Sequence, residues 1–320
     1  MWEEAPKIEI FGIQVYTFGL YCMIGALCAV GVVCVLCRAE KLKRGAGTIS
    51  SCLGMLCGMI CSRLVFCVLN DVSVGGVPLE QWMNIAGGGW SIFGLIFGVF
   101  LGISLSSVIT KVNRGTLLDI ASCALPLLIA AERYGEKLFE GFDVSRQLQN
   151  GSFPEGTFLA VRDSYYEDVS FMATWLVAAI AAVVLFLVLV FFLTREGRQD
   201  GDLWLLFMML CGAGGIILES LRYDHYLEYS FVCFQQIMAA ILLVWGVILA
   251  GVRNRKAKKG IFTAAIISLP VVIALCGGIE FALDRMSISH YVLYAIMAAV
   301  LAVPVTLGII LLRKRERGTA

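Results

Sequence analysis

The chain has 320 residues, of which 59% are hydrophobic and 15% charged, with a mean hydropathy of +0.86 and a formal net charge of +1. That composition excludes an ordinary water-soluble domain and places the chain among polytopic membrane proteins. Its basic residues act as topology signals, and nothing in the charge points to a nucleic-acid partner.

Nine apolar runs can be drawn, at about Val15–Cys37, Ile49–Leu69, Trp90–Thr110, Leu117–Ala131, Phe171–Leu193, Leu203–Leu221, Phe231–Val252, Ile261–Ile279 and Tyr291–Leu312. Most reach the ~20 residues that a membrane-crossing helix needs, and the fourth is short. Cytoplasmic connections are enriched in Lys and Arg. With the N-terminus outside, the inner connections hold Arg38, Lys41, Lys43 and Arg44; Lys111 and Arg114; Arg195 and Arg198; Arg253, Arg255, Lys256, Lys258 and Lys259; and Arg313, Lys314, Arg315 and Arg317. These are most of the 25 basic residues, so an N-terminus outside and a C-terminus inside are expected.

The first segment, Met1–Ile10, is acidic and mixed, without a cleavable signal pattern. In the first span the small residues Gly25, Ala26, Ala29 and Gly31 would let a neighbouring helix approach, as would Gly54 and Gly58 in the second. Arg63, also in the second span, calls for a carboxylate or a water-filled cavity, or else snorkels outward. The third span is entered through Gly87-Gly88-Gly89-Trp90-Ser91, and glycines there and at Gly94 and Gly98 could bring backbone amides to a phosphate, or simply pack.

All twelve cysteines fall in apolar runs, where thiols behave as small hydrophobes. Cys34 and Cys37 have C-x-x-C spacing, but no His or acidic residue shares their span. Ordinary packing is the reading, and neither a metal nor a cofactor is expected.

The densest charge follows the fourth run: Glu132, Arg133, Glu136, Lys137, Glu140, Asp143 and Arg146. At the mouth of a membrane segment this is either a solvated helix end or a polar head-group site. A polar stretch over Gln147–Val169 is too hydrophilic to span and long enough for an external cap. At the end of the sixth span Glu219 and Arg222 are three residues apart on one helical face, paired with each other or holding the arginine for a lipid phosphate.

These landmarks resemble the prolipoprotein diacylglyceryl transferase family across about residues 12–251. Phe18-Gly19-Leu20-Tyr21 resembles the family's first helix, and Ser62-Arg63-Leu64 its second. The motif G-G-M-S-F-H-G-G-L-I-G is matched loosely by Gly88 to Gly98, and D-x(6)-P-x(5)-G-R-I-G-N-F-I-N-G-E by Asp119, Pro126, Arg133 and Gly135. Tyr166-Glu167 fits the family's Y-E in the cap. R-F-x-x-E-x-x-R is matched by Glu219 and Arg222, and the next G-Q by Phe234-Gln235.

The departures are specific. The motif histidine is Phe93, the first-helix tyrosine is Phe18, the glycine before the central arginine is Glu132, the asparagine after G-R-I-G is Glu136, and the first arginine of R-F-x-x-E-x-x-R is Gly215. The family's next glutamate would fall at Gly141, with Glu140 one position early.

The resemblance implies an all-α polytopic membrane protein of the bacterial inner membrane. A seven-helix core over residues 1–253, with an external cap at about 133–169, would carry a C-terminal two-helix hairpin over 254–320. It also implies transfer of diacylglycerol from phosphatidylglycerol, or a related phospholipid, to a lipobox cysteine thiol of a lipoprotein precursor. Arg133, Glu136 and Glu219 are then the candidate catalytic residues, and Arg133, Arg222, Arg63, Gly94 and Gly98 the candidate phosphate-binding ones. A thiol nucleophile needs a base, and the departing phosphate needs cations. With Phe93 in the histidine's place the base would be Glu136, Glu140, Glu219 or His225. The alternative is a non-catalytic relative that binds phospholipid or lipoprotein precursor on the same scaffold.

Overall fold

Within a bilayer the backbone has no water to bond, so each long apolar run must close its hydrogen bonds internally as a helix. The computed structural model describes residues 7–10, 13–75, 82–83, 89–138, 145–146, 153–162, 169–195, 197–222, 228–229, 232–254 and 258–313. Among these, nine helices are long and apolar enough to cross a membrane. They are α1 (Thr17–Ala39), α2 (Ala46–Val74), α3 (Ile92–Thr110), α4 (Arg114–Gly135), α5 (Thr174–Leu193), α6 (Asp202–Leu221), α7 (Phe234–Asn254), α8 (Lys259–Arg285) and α9 (His290–Leu312). The chain is an all-α multi-pass membrane protein.

Among the described residues three antiparallel strand pairs decorate one end: β1 (Lys7–Ile10) with β2 (Ile13–Tyr16), β3 (Ala160–Arg162) with β4 (Ser170–Met172), and β5 (Glu228–Tyr229) with β6 (Val232–Cys233). They explain why the first, fifth and seventh helices begin two or three residues later than the apolar runs do. Apolar residues just before each helix are used in β2, β4 and β6, so Cys233 lies in a strand and not in a span. Conversely α4 and α8 run past the limits drawn at Ala131 and Ile279. The charges that ended those runs, Glu132 and Glu280, face Arg133 and Arg146 inside the protein and do not have to leave the membrane.

Helix α4 is the hub, with α1, α3, α5 and α6 all packed on it and Pro126 buried in its middle. Gly25 of α1 faces Leu128 and Ala131 of α4 so closely that a side chain there would strike Ala131. The closest seam joins α2 and α3. On Gly94, Gly98 and Gly102 a Cβ would run into the carbonyl oxygens of Cys61, Cys57 and Leu53 respectively, so only hydrogen fits. Gly31 faces open space and gives no such approach. The α8–α9 hairpin packs on α6 and α7, and its Met297, Leu301 and Leu311 join the same apolar core as Met209 and Val247.

The loops rich in basic residues meet at one end of the bundle. Asp119, fully buried on α4, accepts hydrogen bonds from the backbone N–H groups of Gly201, Leu203 and Trp204 at 2.9, 3.0 and 3.1 Å, and from Arg198 Nη1 at 2.9 Å. It thereby caps the N-terminus of α6, whose first amides have no partner within the helix. Arg198 Nη2 continues to Glu40 Oε1 at 2.8 Å, and Arg253 Nη1 reaches Asp202 Oδ1 at 3.1 Å.

Candidate active site

The opposite end of α4 carries the charge cluster. Arg133 lies in its last turn, Glu136 opens the short 3-10 turn that follows, Glu219 sits in the last turn of α6, and Arg222 is the next residue beyond α6. The pairing crosses between the two helices. Arg133 Nη2 donates to Glu219 Oε1 at 2.5 Å and Nη1 to Glu136 Oε1 at 3.0 Å, while Arg222 Nη1 donates to Glu136 Oε1 at 2.9 Å.

The pair expected from sequence, Glu219 with Arg222, is the loosest link at 4.0 Å. The planar guanidinium of Arg133 can engage two carboxylates through separate amino groups, which a lysine could not do. Burial opposes the charge on Arg222, but Glu136 and Glu219 outweigh it and hold the guanidinium still more firmly protonated.

A cavity of about 640 Å³ opens beside this cluster. Its walls are largely apolar, with Phe18, Met23, Met55, Met59, Leu95 and Leu128 among them, and Glu132, Arg133, Glu136, Glu219 and Arg222 form its charged side. A largely apolar cavity with a few converging charged groups suits an amphipathic ligand. Among the described residues no group of three or more His, Cys, Asp or Glu is arranged to hold a metal ion.

The sequence did not single out Glu132 as a site residue, although it adjoins Arg133. It lines the cavity, and its Oε2 accepts no hydrogen bond, standing 3.5 Å from Arg133 Nε. Its side chain is 29% exposed, against 11% for Glu136 and 6% for Glu219. The signal was the density of acids around one arginine, which sequence alone could not resolve into committed and uncommitted carboxylates.

Other candidates are placed differently from expectation. Arg63 is held away from the Arg133 cluster: Nη1 donates to the Gly89 carbonyl at 2.8 Å and Nε to that of Trp82 at 3.3 Å, with the guanidinium 5.9 Å from the Trp90 ring centre. It braces the segment whose Gly89, Trp90 and Ser91 form one wall of the cavity. Gly94 and Gly98 turn their open faces to the backbone of α2 and do not line the cavity, so the structure uses them for helix packing and not for approach to a phosphate.

Ser91 caps α3, accepting from Gly94 N at 3.3 Å. Asp119, fourteen residues before Arg133, is the α6 cap at the far end. Phe93 is buried against Gly215, where a Cβ would lie 3.4 Å from the tip of its ring. Glu140, Tyr166, Glu167 and His225 lie outside the described residues.

Residues 6–252 match the prolipoprotein diacylglyceryl transferase family. The phosphatidylglycerol–prolipoprotein diacylglyceryl transferase of Clostridium novyi (strain NT) is 23% identical over 262 residues, covering 78% of this chain and 96% of its own. A protein of the same name from Clostridium perfringens (strain 13 / Type A), numbered 2, is 22% identical over 257 residues, with the same coverage of 78% and 96%. That from Thermotoga maritima is 27% identical over 199 residues, covering 60% of this chain and 65% of its own. With the family match spanning all of the first seven helices except the last residues of α7, this chain belongs to the prolipoprotein diacylglyceryl transferase family.

Proposed function

We propose that the protein transfers the diacylglyceryl group of phosphatidylglycerol to the cysteine thiol of a lipoprotein precursor, in a bacterial inner membrane. The observation that carries this is the convergence of Arg133 and Arg222, from two different helices, at the charged side of an otherwise apolar cavity of about 640 Å³. The acyl chains would occupy the apolar part and the phosphate would lie against the two guanidiniums. The thiol gives up its proton, sulfur bonds to the glycerol carbon, and the bond from that carbon to the phosphate oxygen breaks. Glycerol phosphate leaves with the electron pair, and the charge it gathers is what Arg133 and Arg222 stabilise.

Among the described carboxylates Glu132 suits the proton acceptor best, because Glu136 and Glu219 are each committed to an arginine at 3.0 Å or less. The side bearing this cluster would face the outer compartment, with the N-terminus outside and the C-terminus inside. A reporter fused after Ala320 and active only in the inner compartment is the expected result.

A second reading, binding without turnover, is favoured by one observation. The positions where the family motifs have a histidine and an arginine are here Phe93 and Gly215, packed against each other. An arginine at 215 would meet the Phe93 ring, so Phe93→His and Gly215→Arg are expected to restore more transfer together than either does alone.

The test is purified protein in phosphatidylglycerol vesicles with a lipobox peptide, read by the mass of the diacylglyceryl-peptide, alongside complementation of a cell depleted of its own transferase. Turnover that falls with Glu132→Gln supports the enzyme reading. Lipid binding with no turnover and no complementation supports the second.

A further inference from the structure

The α8–α9 hairpin lies beyond the family match, yet its Tyr294 ends on the segment that carries Glu219 and Arg222, and its Glu280 connects to that segment through Arg146 and Gln236. Tyr294 on α9 donates its hydroxyl to the Ser220 carbonyl at 2.9 Å. Glu280 on α8 is 3% exposed; its Oε1 accepts from Gln236 Nε2 at 2.8 Å, and its Oε2 stands 3.7 Å from Arg146 Nη1. Arg146 in turn donates its backbone N–H to the Leu221 carbonyl at 3.0 Å, and its neighbour Ser145 forms a β-bridge with Arg222. Gln236 Nε2 also donates to the Ile216 carbonyl, at 3.3 Å.

The last carbonyls of a helix have no partner within it, and a helix end is fixed by whatever takes them up. At the end of α6 the Ser220 and Leu221 carbonyls are held, directly or through Arg146, by Tyr294 and Glu280. Glu280 is buried and hydrogen-bonded to Gln236 through one oxygen, while its other oxygen meets the Arg146 guanidinium by charge attraction without a hydrogen bond, an attraction that low-dielectric surroundings strengthen.

We infer that the hairpin sets the position of Arg222, with Tyr294 and Glu280 as positioning residues for the lipid-phosphate site. This rests on the proposed reading of Arg222 as a phosphate ligand, and it adds a part of the chain that the family match does not cover.

The test measures binding of short-chain phosphatidylglycerol to the purified full-length protein in wild type, Tyr294→Phe, Glu280→Gln and Arg222→Ala, and in Tyr294→Phe combined with Arg222→Ala. Tyr294→Phe and Glu280→Gln are each expected to weaken binding about three- to tenfold, in line with one lost hydrogen bond. In the Arg222→Ala background Tyr294→Phe should add nothing, since it acts through Arg222. A merely structural hairpin would instead give additive losses.

Wild-type affinity in both single variants, additivity in the double, or wild-type binding that does not depend on Arg222 would each overturn the inference. Tyr294→Phe removes only a hydroxyl and keeps the experiment decisive if Glu280→Gln does not fold. The peptide-transfer assay on the same preparations separates the two questions. Non-additive binding without turnover leaves the positioning role standing and removes the enzyme reading.

Discussion

The two ends of α4 carry similar residues and do different work. At one end Asp119 is fully buried, and four donors from one neighbouring segment converge on its carboxylate. At the other, about 21 Å away at 1.5 Å per residue, Arg133 and its neighbours bring three carboxylates against two guanidiniums beside a large cavity. The first arrangement buries the carboxylate completely and satisfies both of its oxygens. In the second, Glu132 Oε2 accepts no hydrogen bond and meets Arg133 Nε only at 3.5 Å, and the side chains of the cluster line a cavity of about 640 Å³. Burial of charge alone therefore does not mark a site in this protein. An incomplete pairing next to a cavity does.

The contrast is broken most severely at the Asp119 end. Asp119→Ala strands three backbone amides at the start of α6 and leaves Arg198 only Glu40 as a carboxylate partner, and should cost about 3–5 kcal/mol of stability, as removing one partner of a buried ion pair does. A large fall in melting temperature and in yield of folded protein in detergent is the expected result. Near-wild-type stability would show that the α6 cap is dispensable.

At the Arg133 end the conservative change Arg133→Lys keeps the charge but loses the two-carboxylate fork. It should weaken phosphatidylglycerol binding by about 1.5–3 kcal/mol, or one to two decades. The loss of folding stability should be much smaller than for Asp119→Ala. Equal damage to folding and binding would erase the difference between the two ends.

Finer tests sharpen the comparison. Asn113 caps the start of α4, accepting from Gly115 N at 2.8 Å, and its amide reaches Asp200 at 2.9 Å. Asn113→Ala should cost about 1 kcal/mol of stability, with lipid binding unchanged. Lys137 lies over the Tyr134 ring, 3.9 Å from its centre, just past the cluster. Lys137→Met should cost only about 0.5–1 kcal/mol, the worth of an exposed cation over an aromatic face. Both are read by thermal unfolding in detergent, paired with lipid titration.

The helices were legible in the sequence because a bilayer imposes length and apolarity on every span, and the basic loops marked one end of the bundle. Where α4 and α8 stop was not legible. An apolar run is cut at its first charge, but the charges around these two ends are met inside the protein, Arg133 by Glu219, 86 positions away, and Glu280 by Arg146 and the Gln236 amide from other parts of the chain. The members of the cluster could be picked out as charges near a span end, but the crossed pairing of Arg133 with Glu219 and Arg222 with Glu136 depends on how α4 and α6 are set side by side.

Gly94 and Gly98 show another limit. Glycines four apart suit both a phosphate cradle and a helix seam, and only the carbonyls of Cys61 and Cys57 opposite them decide for the seam. Asp119 and Arg133 sit on one helix and fit one motif, yet fourteen residues of rise separate a fold contact from a candidate site.

The glycine seam also governs the compliance of the molecule. Three hydrogens of α3 resting on three carbonyls of α2 make that pair a plank that can neither slide nor roll without colliding, and Gly25 against Leu128 and Ala131 couples α1 to α4 in a similar way. The cavity lies between these two stiff pairs. Along the line where they part stand Met23 of α1 and Met55 and Met59 of α2, unbranched side chains that repack at small cost. The width of the chamber is thus set by the separation of two rigid planks, with methionines as the soft packing between them that can adjust to the shape of a ligand.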